Sequence, residues 1–145
     1  LMLQGRQPII YGDGEQKRCF SFVQDDIYCL ERAAFADNVA GEVINIGPDE
    51  EFVTINELAR IIADILDFDL QPQYMPDRPR EVKLASCSAD KARELLGYET
   101  TVPLRDGLES IVDYVREKGP KKFRYHLSIE IQNRLTPRTW SEKLF

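Results

Sequence analysis

Between residues 54 and 66 the apolar positions Ile55, Leu58, Ala59, Ile62, Ile65 and Leu66 fall at the i, i+3, i+4, i+7 spacing of one helix face. Thr54-Ile55-Asn56-Glu57 stands at the head of that stripe as a capping box. The spacing therefore predicts a core helix here. A second helical pattern spans residues 25–36, with Ile27, Leu30, Ala33 and Ala34 as its apolar face and Asp25 or Asp26 as the starting cap. A third runs over 89–96, capped by Ser88 and stopped by Gly97. The fourth covers 107–118, capped by Asp106, with Leu108, Ile111, Val112 and Val115 facing inward and Gly119-Pro120 ending it.

Extended segments alternate with these helices. Residues 7–11 are β-rich and bounded by Pro and Gly, and Val43-Ile44-Asn45-Ile46 reads as a second short strand closed by Gly47-Pro48. Residues 70–75 read as extended, with Pro72 restricting its neighbours. The opening Leu1-Met2-Leu3-Gln4-Gly5 looks like a helix end with Gly5 just past it, so the chain is expected to be cut from something larger. In the tail Phe123, Tyr125, Leu127, Ile129 and Ile131 alternate strictly, which favours a strand over the helix that Phe123, Leu127, Ile131 and Leu135 also fit. Trp140, Leu144 and Phe145 are expected to dock on a neighbouring surface. Short strands mixed with amphipathic helices indicate an α/β or α+β domain.

Composition narrows the function classes. At 145 residues with 43% apolar and 30% charged residues, the chain can bury a core. A net charge of −6 argues against bulk nucleic-acid binding. No apolar run approaches a membrane span and no signal-peptide pattern is present, so a cytoplasmic protein without membrane contact is expected. The charge is uneven: residues 116–145 carry eight Lys and Arg against three Asp and Glu, which reads as a solvated or dimer-facing surface. Cys19, Cys29 and Cys87 form no C-x-x-C pair and read as reduced thiols, with Cys29 a small core residue; with one histidine, His126, a zinc site is not expected.

Two stretches carry candidate chemistry. Gly12-Asp13-Gly14 turns the chain sharply after the first strand, and Gln16 and Arg18 leave that turn as reaching polar groups. Arg18 offers the planar fork that grips phosphate or carboxylate in two places, although a turn with a solvated arginine fits the same residues. Asp77-Arg78-Pro79-Arg80-Glu81 is a stiff cationic corner that can present a guanidinium, although the segment alone favours a solvated loop in which the arginines pair with Asp77 and Glu81. No reaction centre accompanies them. There is no G-x-S-x-G, His126 lies in no nucleophile motif, and adjacent Asp25 and Asp26 diverge by about 100° on a helix. The Pro48-Asp49-Glu50-Glu51 loop reads as solvated. Gly12 and Gly14 lack the third glycine of a dinucleotide fingerprint, since position 17 is Lys17. The residues alone suggest binding of a phosphorylated ligand by arginines from two loops.

The order of motifs is specific. Ile10-Tyr11-Gly12-Asp13-Gly14 with Gln16, Arg18, Phe20, Val23 and Asp25 resembles the "iyGdGxQxRdFvyVdD" signature of extended short-chain dehydrogenases/reductases, the NAD-dependent nucleotide-sugar epimerases and dehydratases. Val43-Ile44-Asn45-Ile46-Gly47 resembles their "vyNiG", Thr54-Ile55-Asn56-Glu57-Leu58-Ala59 their "svxela", and Arg78-Pro79-Arg80-Glu81-Val82 their "RPGDV". Ala89-Asp90-Lys91-Ala92 through Leu96-Gly97-Tyr98 is similar to "diSKAxxxLGw", and Gly107-Leu108 to the start of their last helix. Cys19 and Gln24 replace acidic residues of the pattern, Arg80 replaces a glycine and Glu81 an aspartate.

The resemblance implies an α/β fold, the C-terminal substrate-binding part of such an enzyme over residues 1–118, with its Rossmann half absent and residues 119–145 as a basic, partly extended extension. It implies that Arg18 and Arg78 hold the diphosphate of a UDP-sugar, with the strand that carries Tyr11 near the base; Gln16 is taken as a further substrate contact, and Arg80, standing where the pattern has glycine, either adds a third contact or obstructs the corner. It implies NAD in the parent enzyme, with none bound to this fragment. The family's glycine-rich loop and Tyr-x-x-x-Lys pair lie N-terminal to this region; Tyr114 and Lys118 have that spacing by chance in the last helix, so no catalytic residue and no fragment activity are expected. The function implied is that of a UDP-glucose 4-epimerase-like protein, or alternatively a UDP-glucuronate decarboxylase or a non-catalytic nucleotide-sugar-binding or assembly module. Helix faces that normally pack on the Rossmann half are expected to lie exposed and to drive homo-oligomers.

Overall fold

A computed structural model describes residues 1–121, 123–125 and 132–144. After a 3-10 turn at Met2–Gln4, stopped by Gly5 in the left-handed region, β1 (Ile9–Tyr11) leads into the Gly12–Gly14 turn and then β2 (Lys17–Arg18). Helix α1 (Val23–Phe35), β3 (Val53–Thr54) and α2 (Ile55–Leu66) follow, then β4 (Gln73–Met75), α3 (Asp90–Leu96), α4 (Leu104–Lys118) and a last turn of helix, α5 (Arg138–Ser141).

Two small sheets form. β1 runs parallel to β4, with Ile9 opposite Gln73 and Tyr11 opposite Met75. β2 pairs antiparallel with β3, and its other edge takes the 83–85 segment: the Lys17 N–H donates to the Lys83 carbonyl at 2.8 Å and the Ala85 N–H to the Lys17 carbonyl at 3.3 Å. The ends of β1 and β4 and the start of β2 therefore meet at one corner.

Helix α2 forms as its sequence dictates. Thr54 accepts from the Glu57 N–H at 3.0 Å while the Glu57 carboxylate accepts from the Thr54 N–H at 2.7 Å, and Ala59 and Ala63 are buried. Helix α1 departs from expectation. Its N-cap is Phe22, without a side-chain cap, and its covered face is Asp25, Cys29 and Ala33. Ile27, Leu30, Tyr28 and Phe35 are exposed. The tighter face wins because Cys29 lies at the centre of a cluster with Ala89, Ala92, Leu96 and Tyr98, where small residues let α1 and α3 approach closely. Buried Asp25 acts as a cross-link, accepting from the Thr101 N–H and hydroxyl.

Val43–Ile46 forms no strand: its polar backbone is not laddered, while Ile44 and Ile46 pack against the cluster and Val43 is exposed. The acidic loop after it is anchored, not solvated. Arg93 pairs with Asp49 and Glu50, and Asp49 accepts from the Ala89 N–H at 2.8 Å, so Asp49 supplies the start of α3 with an acceptor. Ser88 lies one residue before the cap position, Ala89, and accepts from the Asp90 N–H at 3.1 Å. Helix α4 starts earlier than the Asp106 cap predicts, at Leu104 after Pro103, a residue with no N–H to leave unsatisfied. Phe123–Tyr125 is not in a strand, and His126, Leu127, Ile129, Ile131 and Phe145 lie outside the described residues. Trp140 is exposed; the tail is instead docked through Thr139, which is 3% exposed.

Candidate functional site

The corner is built around a turn that only glycine can make. Gly12 and Gly14 have φ of 69° and 75°, and a Cβ on Gly14 would collide with the Asn56 amide. Asn56, at the start of α2, ties the turn down: its N–H donates to the Gly14 carbonyl at 3.0 Å and its side-chain amide to the Asp13 carbonyl at 2.9 Å. The turn thus has a fixed exit direction, and Gln16 and Arg18 leave it on one side.

A cleft of about 160 Å³ opens there, lined by Gln16, Asp77, Arg78, Arg80, Glu81 and Lys83. Arg78 lines it, and Arg18, 60 residues away in sequence, approaches the same carboxylate, Glu81, from beside the cleft. Arg78 donates to Glu81 from Nε at 3.1 Å and Nη2 at 2.8 Å, a bidentate pair, and Arg18 Nη2 stands 3.7 Å from the same Glu81 oxygen. Arg18 is braced from behind by the Lys17 carbonyl at 2.7 Å. The Arg78 guanidinium lies 5.0 Å over the Tyr11 ring, a cation–π seat that limits its swing. Two guanidinium groups facing one anion from separate elements is the geometry a diphosphate requires.

Gln16 is not the reaching side chain its sequence position suggests. It is 4% exposed, its Nε2 donates to the Tyr11 carbonyl at 3.0 Å, and its Oε1 meets no protein donor. A buried acceptor left open on a cleft wall is available to a ligand hydroxyl or N–H. Arg80 takes a left-handed φ of 63°, a conformation the glycine of the family pattern adopts without cost. Lys83 and Glu81 are members of the cleft that the motif reading left without a role. Lys83 is paired to Asp13 at 3.1 Å; the Glu15 N–H and then Lys83 hold the Asp13 carboxyl below its usual range, and Asp13 holds the Lys83 ammonium above its own. Lys83 is brought there by the parallel bridge of Leu84 with Lys17, in which the Lys17 N–H donates to the Lys83 carbonyl, and no local pattern encodes that pairing.

Among the described residues the glycine pair of the Gly12–Gly14 turn differs from a dinucleotide-binding loop. No cluster of three or more metal-ligating side chains occurs there, and no helix there is long and apolar enough to cross a membrane. NAD needs a glycine-rich turn open to a pyrophosphate. The Gly12–Gly14 turn is closed by Asn56 and Asp77, so these residues do not fit the cofactor. Tyr114 and Lys118 sit on α4 with Tyr114 exposed and the Lys118 ammonium 5.8 Å over its ring, so they face each other and not the cleft residues.

A parallel strand pair flanked by helices, ending at a cationic corner, makes a small α/β unit that matches part of the fold of nucleotide-sugar epimerases. Comparison narrows this: the chain's homologues and structural neighbours are UDP-glucose and UDP-glucuronic acid 4-epimerases and UDP-glucuronic acid decarboxylases. The chain is 34% identical over 119 residues to a putative UDP-glucose 4-epimerase of Methanocaldococcus jannaschii, covering 81% of this chain and 37% of that protein. It is 33% identical over 114 residues to UDP-glucuronic acid decarboxylase 4 of Arabidopsis thaliana, covering 78% of this chain and 25% of the relative. The structure superposes on UDP-glucose 4-epimerase from Thermotoga maritima, solved with UDP-glucose, with a TM-score of 0.75 at 34% identity, over 81% of this chain and 37% of that one. It also matches UDP-glucuronic acid 4-epimerase from Bacillus cereus, solved with UDP-glucuronic acid and NAD, with a TM-score of 0.76 at 34% identity over 81% of this chain and 38% of that one. This chain therefore spans roughly a quarter to two-fifths of the length of the relatives it matches. No family model matches the sequence.

Proposed function

We propose that this chain is the nucleotide-sugar-binding part of an NAD-dependent UDP-sugar 4-epimerase-like enzyme. The observation that carries the reading is the convergence of Arg18 and Arg78 on Glu81. An anionic carboxylate already occupies the point between two guanidinium groups, so the pocket is electrostatically set for a diphosphate that displaces it. Gln16 Oε1 supplies an acceptor beside it, the Arg78–Tyr11 stack limits the entropy lost on binding, and Arg80 adds a third cation. A UDP-glucuronate decarboxylase is the second reading, favoured by the Arabidopsis relative. The redox steps belong to NAD and to a Rossmann half supplied outside these 145 residues, and the chain alone carries no turnover. A non-catalytic binding module remains the outcome if the longer protein holds no NAD and interconverts no UDP-sugar. The same reading makes the protein cytoplasmic.

Calorimetric titration of UDP into the chain tests the site. Arg18→Ala and Arg78→Ala are each expected to weaken binding by about 1.5–3 kcal/mol, the range for hydrogen bonds to charged groups. Equal UDP affinity in wild type and both variants removes the anion-site assignment. The exposed apolar side chains of α1, Ile27, Leu30 and Phe35, form the face that the Rossmann half covers in this reading. In its absence the face associates with itself; sedimentation is expected to give oligomers that Leu30→Glu disperses, and a wild-type monomer at high concentration counts against it.

A further inference from the structure

We propose that the C-terminal extension is a positioning element of the anion site, acting through Tyr11. The inference rests on the diphosphate reading only for what the site binds, not for how it is held. Tyr11 connects three parts of the molecule. Its ring carries the Arg78 guanidinium, its carbonyl accepts from Gln16 Nε2, and its hydroxyl is held by Thr139. The last contact is double: the Tyr11 hydroxyl donates to Thr139 Oγ1 at 3.2 Å and accepts from the Thr139 N–H at 2.8 Å. A phenol bonded once still turns about its C–O axis and lets the ring slide. Bonded from two directions by a residue that is 3% exposed, it fixes ring position and tilt. The ring face is the floor on which Arg78 rests, so the extension sets the height and angle of one of the two guanidinium groups.

Thr139 is itself held in place at several points. Its carbonyl accepts from the Tyr125 hydroxyl at 3.0 Å. Arg138 and Glu142 form a bidentate pair at 2.7 and 2.9 Å across the short helix, and the Asn133–Thr136 turn precedes it. Two further bonds fasten the extension to the N-terminal segment: Gln4 Nε2 to the Lys121 carbonyl at 2.9 Å and Arg6 Nη2 to the Leu144 carbonyl at 3.1 Å. Every one of these contacts runs to residues 4–11 or within the extension itself. These contacts fasten the described part of the extension to the segment that ends at Tyr11.

The test uses the full 145-residue chain. Thr139→Val removes the hydroxyl acceptor, Thr139→Ser restores it, and Tyr11→Phe removes both bonds while keeping the ring. Without ligand, the Arg78 Nε–Hε resonance, assigned by its loss in Arg78→Ala, is expected to shift in Thr139→Val and Tyr11→Phe and to return in Thr139→Ser. With UDP, Thr139→Val is expected to weaken binding about fivefold, the equivalent of one neutral hydrogen bond. On the Arg78→Ala background the same substitution is expected to change nothing, because its effect passes through Arg78. An unmoved Arg78 resonance, or an equal loss on both backgrounds, overturns the proposal and leaves the extension a structural strap. A moved resonance in a protein that binds no UDP upholds the positioning role and sinks the diphosphate reading instead.

Discussion

Arg80→Gly separates backbone strain from ligand contact at one position. Arg80 has φ of 63°, and a left-handed conformation costs an L-residue with a Cβ about 1–2 kcal/mol. Glycine removes that cost but brings about 0.5–1 kcal/mol of additional unfolded-state entropy. The difference is a gain of roughly 0.5–1 kcal/mol in stability. For a chain of this size that corresponds to a rise of about 2–4 °C in melting temperature. Binding is expected to move the other way. Arg80 lines the cleft but is exposed, so its attraction for a diphosphate is screened and is worth about 0.5–1 kcal/mol, a two- to fivefold loss of UDP affinity. Thermal melts and calorimetry on wild type, Arg80→Gly and Arg80→Lys give both readouts. Arg80→Lys keeps the Cβ and the charge, so it is expected to leave the melting temperature unchanged. A glycine variant that melts lower than wild type refutes the strain argument, and one that melts higher with undiminished UDP affinity removes Arg80 from the site.

Two further perturbations follow from the geometry. Gly14→Ala puts a Cβ into the Asn56 amide at φ of 75° and is expected to cost at least about 2 kcal/mol in urea unfolding, with loss of UDP binding as the turn shifts. The Arg93 hydrogen bond, and after it the Ala89 N–H, hold Asp49 down at about 2 against an ordinary 3.8. Its folded pKa is depressed, so its stabilisation is complete above pH 3.8 and is lost as pH falls toward 2. Asp49→Asn is expected to be less stable at neutral pH and to show a flatter acid limb between about pH 4 and 2; acid curves of the same slope for both proteins contradict the assignment.

What the sequence disclosed was what short-range chemistry encodes. Thr54 and Glu57 lie three residues apart, so the capping box and the helix behind it are local facts, as are the positive-φ turn at Gly12 and Gly14 and the stop at Gly97. The α1 face was legible in part: Cys29 as a small core residue and Ala33 are covered, whereas Ile27 and Leu30 are exposed because packing against Ala89 and Ala92 rewards small residues. Asp49 and Glu50 read as solvated because their partner, Arg93, lies more than 40 residues away. Arg18 and Arg78 were each recognisable as a possible anion grip, but the choice between grip and solvated cation depended on whether they met. That is fixed by the β1–β4 pairing and by the 83–85 segment along β2, which also brings in Lys83. The role of Glu81 is the clearest case: pairing with Arg78 is the bland reading of the corner, and the same pairing is what draws Arg18 and Arg78 to one point.

The parallel register of Tyr11 with Met75 has a consequence for how this protein reaches its native state. Parallel neighbours cannot be joined by a hairpin, and here the connection is more than 60 residues long, so chain closure must precede any reward from the ladder. Helix α2 can form early from its own capping box, whereas the two strand ends that deliver Gly12 and Asp77 meet only once nearly half the polypeptide has condensed. Amide exchange at the Gly12 N–H, which donates to the Met75 carbonyl at 2.9 Å, is therefore a single-bond reporter of the moment at which the cleft comes into existence.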